Sequence, residues 1–165
     1  MIILAAAMGE HNELGKNGAP PLWNLPDEYN TFRKSIHYHP IIIGRKSFEA
    51  MKQPIKDSLN IVVTRNQNYH AKGAVVAHSL QEAINLAKTK DKNVYIVGGG
   101  GVFEEAIQIA DCLEISRIEA YFPDADAFFP EFSINEWQLV KESFHEIDED
   151  HAYRFSFQVW IRKKL

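Results

Sequence analysis

The stretch Val94-Tyr95-Ile96-Val97-Gly98-Gly99-Gly100-Gly101-Val102-Phe103 sets the frame for the whole chain. An apolar, β-branched run ends in four consecutive glycines, and a helix is predicted to follow from Val102 to Ala110. A strand-to-helix turn without side chains lets backbone N–H groups approach a phosphate or a flat ring at the positive end of a helix. The same run has a plainer reading, a tight βα turn that needs only positive φ. The neighbouring segments decide between a cofactor seat and a bare turn.

Three other strands have a marked carboxyl end, two of them at a glycine. Met1 to Met8 is short, apolar and closed by Gly9, the pattern of a strand buried on both faces. Its Ala5 to Ala7 leave room for something flat, or for closely packed helices. Ile41-Ile42-Ile43 runs into Gly44-Arg45-Lys46-Ser47 and a short helix to Met51. Two cations at a helix start oppose the macrodipole and make better sense with an anion bound there, although basic loop residues are commonplace. Asn60 to Thr64 is followed by Arg65. Ala74 to Ala77 is a short fourth strand, and Ser79 with Glu82 has capping-box spacing for a helix to about Lys88. With Asn93 to Val97 as the fifth strand, Gly9, Gly44, Thr64 and Gly98 all mark strand carboxyl ends. Ligands of open α/β sheets bind at that edge.

The rest completes the outline. Cys112 to Ile118 is a further strand containing Ser116, residues 124–130 form a turn-rich crossover, and Trp137 to Ile147 with Tyr153 to Arg162 read as a long hairpin. Strands alternating with helices before a strand-rich tail predict an α/β fold, mostly parallel with an antiparallel end. At 165 residues one domain is expected. The net charge of −4 argues against a nucleic-acid or anionic-membrane partner. The lone Cys112 excludes an internal disulfide and fits a reducing compartment, and no apolar run is long enough to span a bilayer. A cytoplasmic, monomeric chain is the expectation, with no metal site.

Two segments look functional in their own right. Residues 9–24 hold three glycines, two prolines and three asparagines, a long loop of the kind used as a lid, with Trp23 at its end. Leu25-Pro26-Asp27-Glu28 opens a helix to about Ile36. Leu25, Glu28, Tyr29 and Phe32 share one face of it, so Glu28 is either a solvated helix-start charge or a carboxylate set among apolar neighbours.

Together these stretches resemble dihydrofolate reductase of the bacterial, chromosomal type. The resemblance is carried by Ala6-Ala7, Leu14-Gly15, Trp23-Asn24-Leu25-Pro26 with Glu28 and Phe32, and Ile43-Gly44-Arg45-Lys46-Ser47-Phe48-Glu49. Val63-Thr64-Arg65, Val97-Gly98-Gly99-Gly100 and Asp126-Ala127-Phe128-Phe129-Pro130 extend it in the family's order over essentially the whole chain. It implies a single domain over residues 1–165, with an eight-stranded sheet and helices on both faces. It implies NADPH-dependent reduction of 7,8-dihydrofolate to tetrahydrofolate.

The resemblance also assigns roles. Glu28 becomes the active-site carboxylate that orients the pteridine and promotes N5 protonation, with Trp23 and Ser116 beside it. Ala6, Met8, Tyr29, Phe32, Arg33 and Ser58 fall on the substrate side. Ala7, Leu14, Gly15 and Ser47 surround the nicotinamide. Gly98-Gly99 carries a cis peptide near the pyrophosphate, with Gly100, Gly101, Val102 and Phe103 following and Gly44 opposite. Arg45, Lys46, Thr64 and Arg65 form the adenosine-side cluster, whose cations suit a 2′-phosphate and so NADPH rather than NADH.

Departures from the family pattern bear on the substrate. Ser58 stands where an arginine usually clamps the glutamate tail, and Lys56 or Arg33 would replace it only as a point charge. Phe103 replaces a tyrosine, Gly101 a cation of some members and Tyr29 a leucine, while Pro21-Leu22-Trp23 separates a proline from the tryptophan. The missing arginine leaves open a reductase of the same fold acting on another pterin or on a riboflavin-pathway pyrimidine. A non-catalytic NADPH-binding domain is the third reading.

Overall fold

The computed structural model describes residues 1–16 and 22–164. The elements run β1 (Ile2–Met8), β2 (Glu13–Gly15), α1 (Pro26–Ile36), β3 (Ile41–Gly44), α2 (Arg45–Ala50), β4 (Asn60–Val63) and β5 (Val75–Ala77). They continue as α3 (Leu80–Lys88), β6 (Val94–Ile96), α4 (Gly100–Ala106), β7 (Cys112–Ile118), β8 (Ala127–Phe128), β9 (Trp137–His145) and β10 (Phe155–Arg162). Eight strands form one sheet in the order β5-β4-β3-β6-β1-β7-β10-β9. Every pairing from β5 to β7 is parallel, and β10 runs antiparallel to both β7 and β9. The α/β fold with an antiparallel carboxyl-terminal end is therefore as the sequence predicts.

The pleat sorts the core into two layers. Ile3 and Ala5 of β1 face α1, in a cluster with Ile36, Ile41, Tyr95 and Cys112. Ile2, Leu4 and Met8 face α3 and α4, in a cluster with Ala83, Ile84, Phe103 and Ala106. Consecutive strand residues point to opposite faces, so a strand covered on both sides is apolar throughout. Helix α3 is fixed locally: the Ser79 hydroxyl accepts the Glu82 N–H at 3.0 Å, and the Glu82 carboxylate accepts the His78 N–H at 3.0 Å. The carboxylate thus closes one residue earlier than the usual reciprocal cap.

Two differences from the sequence reading matter for the site. The long loop and the crossover contain strands β2 and β8, which pair antiparallel, and the Asp126 N–H donates to the Gly15 carbonyl at 3.0 Å. Helix α4 starts at Gly100, not Val102, so two of the four glycines are helical. Residues 17–21 of the expected lid, including Pro21, lie outside the described residues. The near side of that loop is anchored by Glu13, whose buried carboxylate accepts N–H groups from Phe122 at 2.7 Å and from His11. Arg117 on β7 donates to the Gly9 carbonyl at 3.0 Å and to Asn12 Oδ1 at 2.7 Å.

Candidate active site

The carboxyl ends of β1, β3, β4 and β6 share one edge of the sheet because the strands are parallel neighbours. There the Gly98–Gly99 peptide is cis, Gly98 has φ +144°, and its carbonyl accepts the Gly44 N–H at 2.9 Å. A Cβ on Gly99 would lie 2.6 Å from Ser47 Oγ, and one on Gly100 would lie 3.2 Å from the Phe128 carbonyl oxygen. A Cβ on Gly44 would sit 3.2 Å from Val102 Cγ2. Gly44, Ser47, Gly98, Gly99, Gly100 and Val102 are thus brought together. Gly101 has open space where its Cβ would be, so nothing in the packing requires glycine there.

A cleft of about 900 Å³ opens beside this turn. Leu14, Gly15, Lys46, Ser47, Gly99 and Gly100 line one part of it, and Tyr29, Phe32, Arg33 and Ser58 line another. Among the described residues four basic side chains border it, Lys16, Arg33, Lys46 and Lys56, against one carboxylate, Asp57. That balance suits an anionic ligand. The Ser58 hydroxyl is already engaged, donating to the Ile36 carbonyl at 3.2 Å. Arg45 pairs with Glu49 one helical turn on at 3.2 Å, and Thr64 and Arg65 lie outside the cleft lining. The His78 ring donates to the Thr64 carbonyl at 3.0 Å, a neighbour that the motif reading missed.

Glu28 and Ser116 line a second cavity of about 310 Å³, together with Ala6 and Phe32, and Phe32 is shared by both spaces. The second alternative for Glu28 is the one observed: on the inward face of α1 its residue is only 8 % exposed. Burial pushes its carboxyl above the ordinary 4.5, and a hydrogen bond from the Ser116 hydroxyl pulls part of the way back. Ser116 stands opposite Ala7 in the β1–β7 register, which sets the hydroxyl across from the helix. Trp23 packs on Phe122 with ring centroids 5.0 Å apart, in the cluster that includes Ala7, and lines neither space.

Two expected side chains belong to the core instead. Met8 is fully buried with Leu4 and Phe103 on the α3/α4 face, because it occupies an even position of β1. Phe103 packs against Phe129 at 4.9 Å and is likewise buried. Neither side chain lines the two cavities, although the Phe103 ring edge lies 4.0 Å from where a Cβ on Gly98 would be.

Sequence reading also missed Glu114. It lines the second cavity with Thr31 and Ser35, and accepts a hydrogen bond from the Tyr95 hydroxyl at 3.1 Å. Burial raises its pKa, with the Tyr95 hydrogen bond opposing the rise. The signal was present: Glu114 and Ser116 are two apart on one strand and so share a face.

Comparison with known proteins agrees with this arrangement. The family model described as dihydrofolate reductase matches residues 1–162. The dihydrofolate reductase type 3 of Salmonella typhimurium is 33% identical over 164 residues, covering 99% of each chain. The dihydrofolate reductase of Haemophilus influenzae is 31% identical over 160 residues, covering 97% of this chain and 98% of its own. A solved dihydrofolate reductase from Enterococcus faecalis, complexed with NADP(H) and RAB-propyl, superposes with a TM-score of 0.93 at 30% identity over 99% of this chain and 97% of its own. With a family model spanning the sheet, the glycine turn and the buried glutamate alike, the chain belongs to the dihydrofolate reductase family.

Proposed function

We infer that this chain catalyses NADPH-dependent reduction of 7,8-dihydrofolate to 5,6,7,8-tetrahydrofolate. The observation that carries the reading is Glu28, a buried carboxylate in a cavity separated by Phe32 from the basic cleft beside the glycine turn. Family membership supplies the reaction class, and the residues fit the cofactor. The Gly98-Gly99-Gly100 backbone is held bare by packing against Ser47 and Phe128, and Lys46 and Arg33 border the same cleft. Glycine at 99 leaves room for the Ser47 hydroxyl, which is available to a carboxamide. Arg45, Lys46 and Arg65 would meet the 2′-phosphate side of the molecule.

When bound, NADPH supplies the hydride for C6 of the pterin. The chain's own part is orientation and proton supply. Ionised, Glu28 accepts two parallel N–H bonds from the pterin 2-amino group and N3, which fixes the ring. Its raised pKa makes a proton available nearer neutral pH than an exposed glutamate would, and so assists protonation at N5. Ser116 holds the carboxylate in place. Phe32, exposed to both spaces, packs on the ring and its benzoyl extension, while Tyr29 and Arg33 border the tail. Leu14 and Gly15 line the cleft and would help to exclude water from it. All these groups come from one chain, which supports action as a monomer. Among the described residues no helix is long and apolar enough to cross a membrane.

The test is NADPH oxidation with dihydrofolate, run beside dihydrobiopterin, which lacks the glutamate tail. Turnover of dihydrofolate that falls about 10²–10⁴-fold in Glu28→Gln is the expected result. Turnover of the tail-less pterin alone would overturn the substrate, and no turnover of either would overturn the enzyme.

A further inference from the structure

The hairpin β9–β10 ends against the start of α1, and three side chains converge there. His145 Nε2 lies 2.8 Å from Asp27 Oδ2, and His151 Nε2 lies 3.9 Å from the same oxygen. The three ligand atoms fall within 4.8 Å of one another. Ligands of a divalent transition metal sit about 2.0–2.2 Å from the ion, so neighbouring ligand atoms are roughly 3–4 Å apart. Shifts of roughly half an ångström would bring all three to that distance.

The second nitrogens of the rings add an independent observation. His145 Nδ1 donates to the Glu146 carbonyl at 2.8 Å, and His151 Nδ1 donates to Asp148 Oδ1 at 2.8 Å. In His151 this bond fixes the tautomer that leaves Nε2 as the ligand atom, whereas His145 Nε2 donates to Asp27 Oδ2 and an ion would take the place of that proton. A carboxylate or carbonyl behind the ring is the arrangement that orients histidines around a metal. Both rings are also held by packing: His145 stacks on Phe155 at 4.7 Å and 10°, and His151 is almost wholly buried. The donor set of two imidazoles and one carboxylate suits Zn²⁺, Co²⁺ or Ni²⁺. Without an ion, His151 Nε2 accepts the Asp27 N–H at 3.0 Å, a bond that coordination would replace.

We propose that Asp27, His145 and His151 form a divalent transition-metal site that clamps the β9–β10 hairpin onto the first turn of α1. Water would complete the coordination on the exposed side of Asp27. The site is distinct from the reductase chemistry: Asp27 faces solvent while Glu28, the next residue, is buried. No local spacing announces it, since Asp27 and His145 are 118 residues apart.

Titration of the purified full chain with Co²⁺ tests the proposal through the visible absorption of the bound ion. The expected result is one Co²⁺ per chain, displaced by Zn²⁺, with the band lost in Asp27→Ala and in His145→Ala. Both positions are partly exposed, so the variants keep their fold, which far-ultraviolet dichroism would verify. Asp148→Asn, behind His151, should weaken binding about 10–100-fold. Zn²⁺ should raise the unfolding midpoint of the parent and leave those of the two alanine variants unchanged. Binding of equal strength in parent and variants overturns the site, as does a parent that binds no Co²⁺.

Discussion

The Ser116 hydroxyl on β7 and the Glu28 carboxylate on α1 meet across the sheet face, and their hydrogen bond opposes the effect of burial on the carboxyl. Burial favours the neutral acid, whereas the donated bond favours the anion, so the pair sets where Glu28 titrates. Removing the donor should push the pKa further up. In Ser116→Ala the rate of hydride transfer should still fall at high pH, but its falling limb should lie at higher pH than the parent's. Single-turnover rates measured across pH check this. An unshifted limb would separate Glu28 from the proton that the reaction uses.

The same burial makes a prediction about stability. A folded-state pKa above the ordinary 4.5 means that the folded chain holds the proton more tightly than the unfolded chain. The contribution of Glu28 is therefore fully present below pH 4.5, and is lost as pH rises through the raised value. Glu28→Gln carries no such charge. Its unfolding midpoint should exceed the parent's at neutral and alkaline pH, by roughly 2–4 °C per kcal/mol of penalty relieved. The gap should close on acidification. Thermal denaturation at a series of pH values would show it, and a midpoint below the parent's at neutral pH would mean that the carboxylate is better solvated than its burial indicates.

What could be read from the sequence follows the range of the interactions. The Ser79–Glu82 cap and the Pro26 helix start depend on residues within one turn, and both stand where the pattern puts them. Strand ends marked by glycine placed the ligand edge, because a parallel sheet carries those ends to one side. Strands β2 and β8 escaped notice since three residues and two residues carry no periodicity and pair only with each other. The start of α4 at Gly100 was hidden for a related reason: glycine is a poor helix former, and packing against Phe128 overrides it. Glu13, buried under the Phe122 amide, and the Asp27–His145 pair are contacts of more than a hundred residues' separation. Met8 shows the converse limit: an apolar strand residue is legible as buried, but its face is not until the register is known.

Ser58 offers a gain-of-function test. Its hydroxyl binds the Ile36 carbonyl, and Lys56 and Arg33 line the same cleft as cations that could meet a carboxylate. A lysine is a point charge without the bidentate fork of a guanidinium. Ser58→Arg should lower KM for dihydrofolate about tenfold, as one charge-assisted pair is worth about 1.5–3 kcal/mol. The KM for dihydrobiopterin should not move, because that substrate has no tail. A KM for dihydrofolate that stays put would show that Lys56 or Arg33 already holds the tail.

The glycine turn separates packing from binding at adjacent positions. A methyl on Gly99 would lie 2.6 Å from Ser47 Oγ, whereas a methyl on Gly101 would meet nothing. Gly99→Ala must therefore displace the Ser47 hydroxyl from the place where the cofactor would find it, and NADPH affinity should drop by at least tenfold. Gly101→Ala lies inside α4 and should leave that affinity unchanged while stabilising the fold by up to about 1 kcal/mol, the helix preference of alanine over glycine. Fluorescence titration with NADPH and denaturant unfolding of both variants provide the two readings. If Gly99→Ala binds NADPH as the parent does, the glycines serve only the close approach of Ser47 and Phe128, and the turn is a packing feature with the cofactor held elsewhere along the cleft.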